Sequence, residues 1–225
     1  FYEVGYRLGL DSDGYYNSEY GIQRLRKYMA LFGLDRTSGI ELEELEPTMS
    51  DMDPVLSAIG QARNSYTPAQ IARYLTTIAS KGDLYSLSIL DKLTDSKETL
   101  IEDYAPEILE HIELKPSTWK SIFSGMYKVI GNSSFLSIFS DLSVEVAGKS
   151  GTAQENALRP DHGLFVCFAP YDDPEITVTV VLPYGYGSYN SGSVAKNMLS
   201  YVFHENEATD GKRQAADVDG TIVSD

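Results

Sequence analysis

Four consecutive residues, Lys149-Ser150-Gly151-Thr152, bring together a cation, two hydroxyls and a position without a side chain. Lys149 attracts an anionic ligand, and the hydroxyls of Ser150 and Thr152 can hydrogen-bond a carboxylate. Gly151 lets a ligand approach the backbone closely. On or beside a sheet edge, such a run could accept an extended peptide as an additional strand. A four-residue motif is weak by itself, so its neighbours decide its meaning.

Those neighbours read as a sheet. Leu164–Ala169 and Ile176–Leu182 are apolar runs rich in β-branched and aromatic residues, parted by Pro170-Tyr171-Asp172-Asp173-Pro174. That pattern predicts two strands of a hairpin. Ser143–Ala147 alternates as a strand leading into Lys149. After the hairpin comes a glycine-tyrosine loop, Tyr184–Ser191, either a groove lining or a flexible tip. A last amphipathic helix carries Val194, Met198, Leu199, Val202 and Phe203.

Upstream, helical patterns dominate. Phe1 to Leu8 reads as the end of a helix, and Ile22, Leu25, Tyr28, Met29 and Phe32 make a helical stripe stopped by Gly33. Glu41 to Asp53 is an acidic loop expected to be solvated. Thr67-Pro68-Ala69-Gln70 combines a cap, a first-turn proline and a capping-box partner, opening a helix that Gly82 ends. Short strands are expected near Ser86–Leu93 and Leu100, around a turn at Thr94–Lys97, followed by a helix before Glu113. Pro116 starts another helix, with Trp119, Ile122, Phe123, Met126, Val129 and Ile130 facing the core and Gly131 stopping it. Residues 205–225 are polar, lack periodicity and read as a mobile tail. Helices followed by consecutive strands and a packing helix predict an α+β class, an antiparallel sheet packed by helices.

Composition narrows the function further. A chain of 225 residues with 42% hydrophobic content can bury a sizeable core. The net charge of −15 opposes sequence-independent nucleic-acid binding and an anionic-membrane patch. No apolar run approaches the roughly 18–20 residues of a membrane span, and no signal peptide opens the chain. Cys167, the single cysteine, lies in an apolar strand and reads as a buried, inert thiol.

Other motifs have simpler readings. Gly148-Lys149-Ser150 could end a phosphate-binding loop, but Ser143 stands where that motif requires glycine. Asp217-Val218-Asp219-Gly220-Thr221 has the letters of an aspartyl-nucleophile phosphatase with no sheet around it, and Asn132-Ser133-Ser134 fits a glycosylation acceptor. His111, His162 and His204 show no paired metal-ligand spacing, and no cofactor is implied. His162 reads as a structural hydrogen-bonder.

Several separated segments, in order, make a stronger pattern than any single motif. They are FYEVGYRLG with Gly21, FGLDRTSGIELEE, IGQARNSYTPAQIARYLTTIASKG, WKSIFSGMYKVI, VAGKSGTAQ and HGLFVCFAPYDDPEITVTVVL. Over residues 1–204 the chain resembles the transpeptidase domain of penicillin-binding proteins, the class B high-molecular-weight type. The resemblance implies a partial domain of the serine β-lactamase/DD-peptidase-like fold. In that family SxxK, SxN and K[ST]G build the site, and Lys149-Ser150-Gly151 matches the third.

By resemblance, Lys149 would hold the SxN hydroxyl and the carboxylate of a peptidoglycan stem peptide, and Ser150 and Thr152 would bind that carboxylate. The Thr152 backbone N–H would supply half of the oxyanion hole, a donor set worth about 10²–10³ in rate. β-Lactams would acylate the same serine. Ser117-Thr118-Trp119-Lys120 and Ser193-Val194-Ala195-Lys196 fit SxxK by letters, and Ser188-Tyr189-Asn190 fits SxN, but none has the family's order. The nucleophile is therefore expected upstream of Phe1, and the chain alone is expected to be inactive. The resemblance further implies an envelope protein on the extracytoplasmic face, held by an N-terminal membrane segment and working beside a glycan polymerase. A non-catalytic scaffold of the same fold and a β-lactamase-like hydrolase are the alternatives.

Overall fold

The computed structural model describes residues 1–131, 134–155 and 158–203. Three helices come first: α1 (Tyr2–Leu8), α2 (Ser18–Leu31) and a single turn, α3 (Pro54–Ser57). Gly5 lets α1 press against α3, since a Cβ there would stand 2.6 Å from the Pro54 carbonyl oxygen. Asn17 caps α2 by accepting the Tyr20 N–H. Gly33, at φ +74°, turns the chain beyond the helix.

Helix α4 (Pro68–Ala79) starts with the expected capping box, Thr67 and Gln70 satisfying each other's backbone N–H groups. Its Arg73 is buried, and the guanidinium donates to the carbonyls of Gly33, Arg36 and Thr37. Buried charge is tolerated when hydrogen-bonded, and here it ties the turn after α2 to α4. The acidic loop is not simply solvated, contrary to the sequence expectation. Glu44 accepts the Ser38 N–H at 2.6 Å and its hydroxyl at 2.8 Å, and also the Thr67 hydroxyl. Burial would raise this carboxyl, but those hydrogen bonds outweigh it and hold it below the ordinary value.

The middle of the chain holds β1 (Asp83–Ser86), β2 (Lys92–Thr94), β3 (Leu100–Asp103) and β4 (Glu107–His111). β1 pairs with β4 and β2 with β3, both antiparallel. The helix expected before Glu113 is thus replaced by β4. Its Glu, Leu and His content favours a helix locally, but pairing with β1, where Leu84 is fully buried, overrides that preference. The strand expected at Ser86–Leu93 is interrupted, with Glu41 holding the Ser88 hydroxyl and the Ile89 N–H.

The last third carries α5 (Pro116–Gly131), α6 (Leu136–Phe139), β5 (Ala147–Ala153), β6 (His162–Ala169), β7 (Ile176–Leu182) and α7 (Ser188–Val202). The sheet order is β5-β6-β7, antiparallel throughout and without register shifts. Side chains alternate across it. Phe165, Cys167 and Ala169 pack with α6 and α7 residues such as Phe139, Ala195 and Leu199. Phe168 and Val166 join Leu75 and Ile78 of α4 and Phe123 and Met126 of α5. Helices therefore cover both faces of an antiparallel sheet, the α+β arrangement that the sequence predicts.

Two boundaries shift. β5 begins at Ala147 rather than Ser143, so the Lys-Ser-Gly-Thr run lies inside the strand. α7 begins at Ser188, within the expected loop, after Gly187 at the cap position. No helix among the described residues is long and apolar enough to cross a membrane. The tail at 205–225, His204, the Asp217–Thr221 motif and the first two residues of the Asn132 acceptor lie outside the described residues.

Candidate acyl-transfer edge

The site is built on β5 because this strand is bordered on one side only. Lys149 faces Val166 in register, Ser150 faces Phe165, Gly151 faces Leu164 and Thr152 faces Gly163, all on β6. Among the described residues no strand pairs with the other side of β5. α5 backs the strand, and Ala147 and Gly148 are buried. Gly148 permits this closeness: a Cβ there would stand 2.9 Å from the Val166 carbonyl oxygen and 3.0 Å from the Phe165 ring. At Gly151 a Cβ would meet only the Leu164 Cβ, at 3.3 Å. One glycine serves packing and the other leaves a surface open.

From Lys149 to Thr152 the strand comes out of the core. Lys149 and Thr152 are exposed, and Ser150 and Gly151 are half-buried. The Lys149 ammonium donates to the Ser150 carbonyl and lies over the Phe1 ring. Desolvation lowers its pKa from the ordinary lysine value. The tip remains reachable while the surroundings of its stem disfavour the charge, so an incoming anion gains a cation that water screens incompletely.

The look-alike motifs do not gather here. Lys120 shares a cleft with Lys81, Trp119, Tyr171 and Asp172, at the end of the sheet marked by the β6–β7 turn. Lys196 is paired with Asp141 at 2.9 Å. The Ser193 hydroxyl donates to the Tyr189 carbonyl within α7, and the Asn190 amide donates to the Gly185 carbonyl. A cleft of about 560 Å³ between Ile176–Thr177 and the 87–91 segment is lined by no β5 residue.

His162 is a structural hydrogen-bonder, its Nδ1 accepting the Tyr184 N–H at 3.1 Å. Burial pushes the Cys167 thiol up to about 12, as an inert thiol requires. Among the described residues no group of three His, Cys, Asp or Glu could hold a metal ion. The tyrosine loop divides its work: Tyr184 packs against His162 at a tilt, Tyr186 is exposed, and Tyr189 reaches toward Phe135. Sequence reasoning missed the group formed by Glu155, Arg159, His162 and Tyr184 at the end of β5. Its members come from the β5–β6 connection, the first residue of β6 and the β7–α7 connection, and no local pattern links them.

Comparisons with known proteins identify the family and the fold. A family profile described as "Penicillin binding protein transpeptidase domain" matches residues 2–204. The peptidoglycan D,D-transpeptidase MrdA of Haemophilus influenzae is 29% identical over 91% of this chain and 34% of its own length. The chain thus spans about a third of that relative. Penicillin-binding protein 2B of Streptococcus pneumoniae strain R6 superposes with a TM-score of 0.74 at 25% identity, covering 94% of this chain and 38% of that one. Penicillin-binding protein A of Mycobacterium tuberculosis, solved as an imipenem acyl-enzyme complex, has a TM-score of 0.70 at 21% identity, covering 82% and 42%; at that identity it speaks to fold.

Proposed function

The chain belongs to the penicillin-binding protein transpeptidase family, and from that premise we propose that residues 1–204 are the C-terminal part of a class B domain that cross-links peptidoglycan by acyl transfer. The observation that carries the reading is the placement of Lys149, Ser150, Gly151 and Thr152 on the open edge strand β5. A stem peptide lying along this edge would put its terminal carboxylate against the Lys149 ammonium and the hydroxyls of Ser150 and Thr152.

The serine that attacks the penultimate D-Ala carbonyl is supplied from outside these 225 residues. Its proton passes to the lysine of the same SxxK motif as the C–O bond forms. The resulting oxyanion accepts the Thr152 N–H. Support for that role comes from Ser150, whose carbonyl receives the Lys149 ammonium on the open side of β5. Backbone groups two residues apart in a strand point the same way, which puts those of Thr152 on this side too. Collapse of the intermediate breaks the peptide C–N bond and expels the terminal D-Ala. An amine from a second stem peptide then takes the acyl group and restores the serine.

β-Lactams acylate the same serine, as the imipenem acyl-enzyme of the M. tuberculosis neighbour illustrates for that protein. The whole protein acts at the extracytoplasmic face of the cell envelope, held by an N-terminal anchor and working beside a membrane glycan polymerase. No cofactor is needed.

Labelled penicillin tests the reading on this chain alone and on the chain with its upstream sequence restored. Covalent label is expected only on the longer protein. Stable label on Ser117 or Ser193 of the short chain would overturn the assignment of the nucleophile. An unlabelled long protein would favour a non-catalytic binding module of the same fold.

A further inference from the structure

At the Thr152 end of β5, Glu155, Arg159, His162 and Tyr184 gather into one polar group. The Tyr184 hydroxyl accepts from Arg159 Nη1 at 2.6 Å and donates to Glu155 Oε2 at 3.0 Å. The Tyr184 backbone N–H donates to His162 Nδ1 at 3.1 Å, and the two rings pack at a tilt of 41° with centroids 4.8 Å apart. Because Nδ1 accepts, the proton of the neutral imidazole sits on Nε2, which faces Glu155 Oε2 at 3.6 Å. Glu155 thus meets both the hydroxyl and the imidazole of residues that lie beyond the β5–β6 connection.

Three further observations single out this group. Tyr184 has φ +54°, a left-handed conformation that costs energy for a residue with a side chain. His162 opens β6 opposite Ala153, one residue after Thr152. Its neighbour Gly163 backs directly onto the start of α7, where a Cβ would stand 2.5 Å from the Gly187 carbonyl oxygen. The group therefore joins the end of β5, the start of β6 and the β7–α7 connection, and it keeps a strained tyrosine backbone in place to do so.

We propose that Tyr184 is a positioning residue: through Glu155 and His162 it fixes the Thr152 end of β5, so that the Thr152 N–H meets the oxyanion in the productive geometry. This rests on the acyl-transfer reading of β5. Tyr184 touches neither substrate nor reacting atoms. Its contribution appears in the acylation step, because a donor displaced by a fraction of an ångström still lets ligand bind but serves the transition state poorly.

The test uses the full-length protein, with penicillin acylation resolved into the initial binding constant and the acylation rate. Tyr184→Phe keeps the ring and the backbone N–H and deletes both hydroxyl bonds. It should lower the acylation rate about ten-fold or more while leaving initial binding and the melting temperature close to those of the unaltered protein. Glu155→Ala should match it, and Glu155→Gln, which still offers an acceptor, should recover most of the rate. His162→Asn keeps an acceptor near the Nδ1 position and should outperform His162→Leu.

Unchanged acylation in both Tyr184→Phe and Glu155→Ala would overturn the proposal. So would a loss of rate that tracks a loss of melting temperature across the set. Ser150→Val serves as the control on the underlying reading. If it slows acylation while the Tyr184 and Glu155 variants do not, the positioning role alone fails. If the unaltered protein takes no label, the acyl-transfer reading falls, and this role with it.

Discussion

The Lys149 ammonium stands 5.8 Å from the centroid of the Phe1 ring. The first residue of the chain and the first residue of the Lys-Ser-Gly-Thr run therefore share one corner of the molecule. Phe1 thus stands beside the open edge of β5, next to the cation of that run.

The lowered pKa of Lys149 gives the reaction a pH signature. Folding depresses this lysine by desolvation, so the folded protein loses that proton at a lower pH than an unfolded chain. Carboxylate binding should then weaken on the alkaline side before pH reaches the ordinary lysine value of about 10.4. Lys149→Arg, charged throughout, should carry the alkaline limb of penicillin acylation to higher pH. For stability the sign is opposite: between the folded and unfolded pKa the unfolded chain binds more protons, so stability contributed by this group rises with pH. Acylation rates and denaturant melts across the alkaline range check both.

Ser150→Val and Thr152→Val, each made in the extended protein, should slow acylation by about ten- to a hundred-fold, the worth of a hydrogen bond to a charged group. Valine suits an edge strand, so the circular dichroism melt should scarcely move. Unchanged acylation in both would remove the carboxylate-binding role.

The two glycines of β5 should separate folding from function. Gly148→Ala forces a methyl to within 2.9 Å of the Val166 carbonyl oxygen and should cost about 1–3 kcal/mol in chemical denaturation. Gly151→Ala meets only Leu164 at 3.3 Å; it should fold nearly normally and lose penicillin acylation, because the methyl occupies the open strand surface.

These contrasts show how far the sequence could be read. The β6–β7 hairpin and the Thr67 capping box were legible because strand alternation and helix capping are written in adjacent residues. The Lys-Ser-Gly-Thr run is legible for the same reason, although its strand begins at Ala147, four residues beyond the start that the alternation predicts. β4 was not legible, since Glu107–His111 becomes a strand only through pairing with Asp83–Ser86. The fastening of Glu44 to Ser38 and Thr67, and of Tyr184 to Glu155 and His162, depends on side chains brought together by folding. No spacing rule encodes such meetings.

Arg73 offers a direct measure of one of them. Arg73→Met keeps the buried stem but strands the carbonyls of Gly33, Arg36 and Thr37 that the guanidinium now serves. A loss of about 3 kcal/mol is expected in urea unfolding. A loss below about 0.5 kcal/mol, the range of ordinary surface changes, would show that the clamp is dispensable.

The order β5-β6-β7 also sets a schedule for synthesis. Lys149 leaves the ribosome before the strand that holds it, because β5 pairs with β6 and gains its register only when His162–Ala169 follows. A nascent chain halted before that point would already carry every residue of the Lys-Ser-Gly-Thr run without an edge to display them. The open edge of β5 is thus a product of later synthesis, set by residues that follow the Lys-Ser-Gly-Thr run rather than by the run itself.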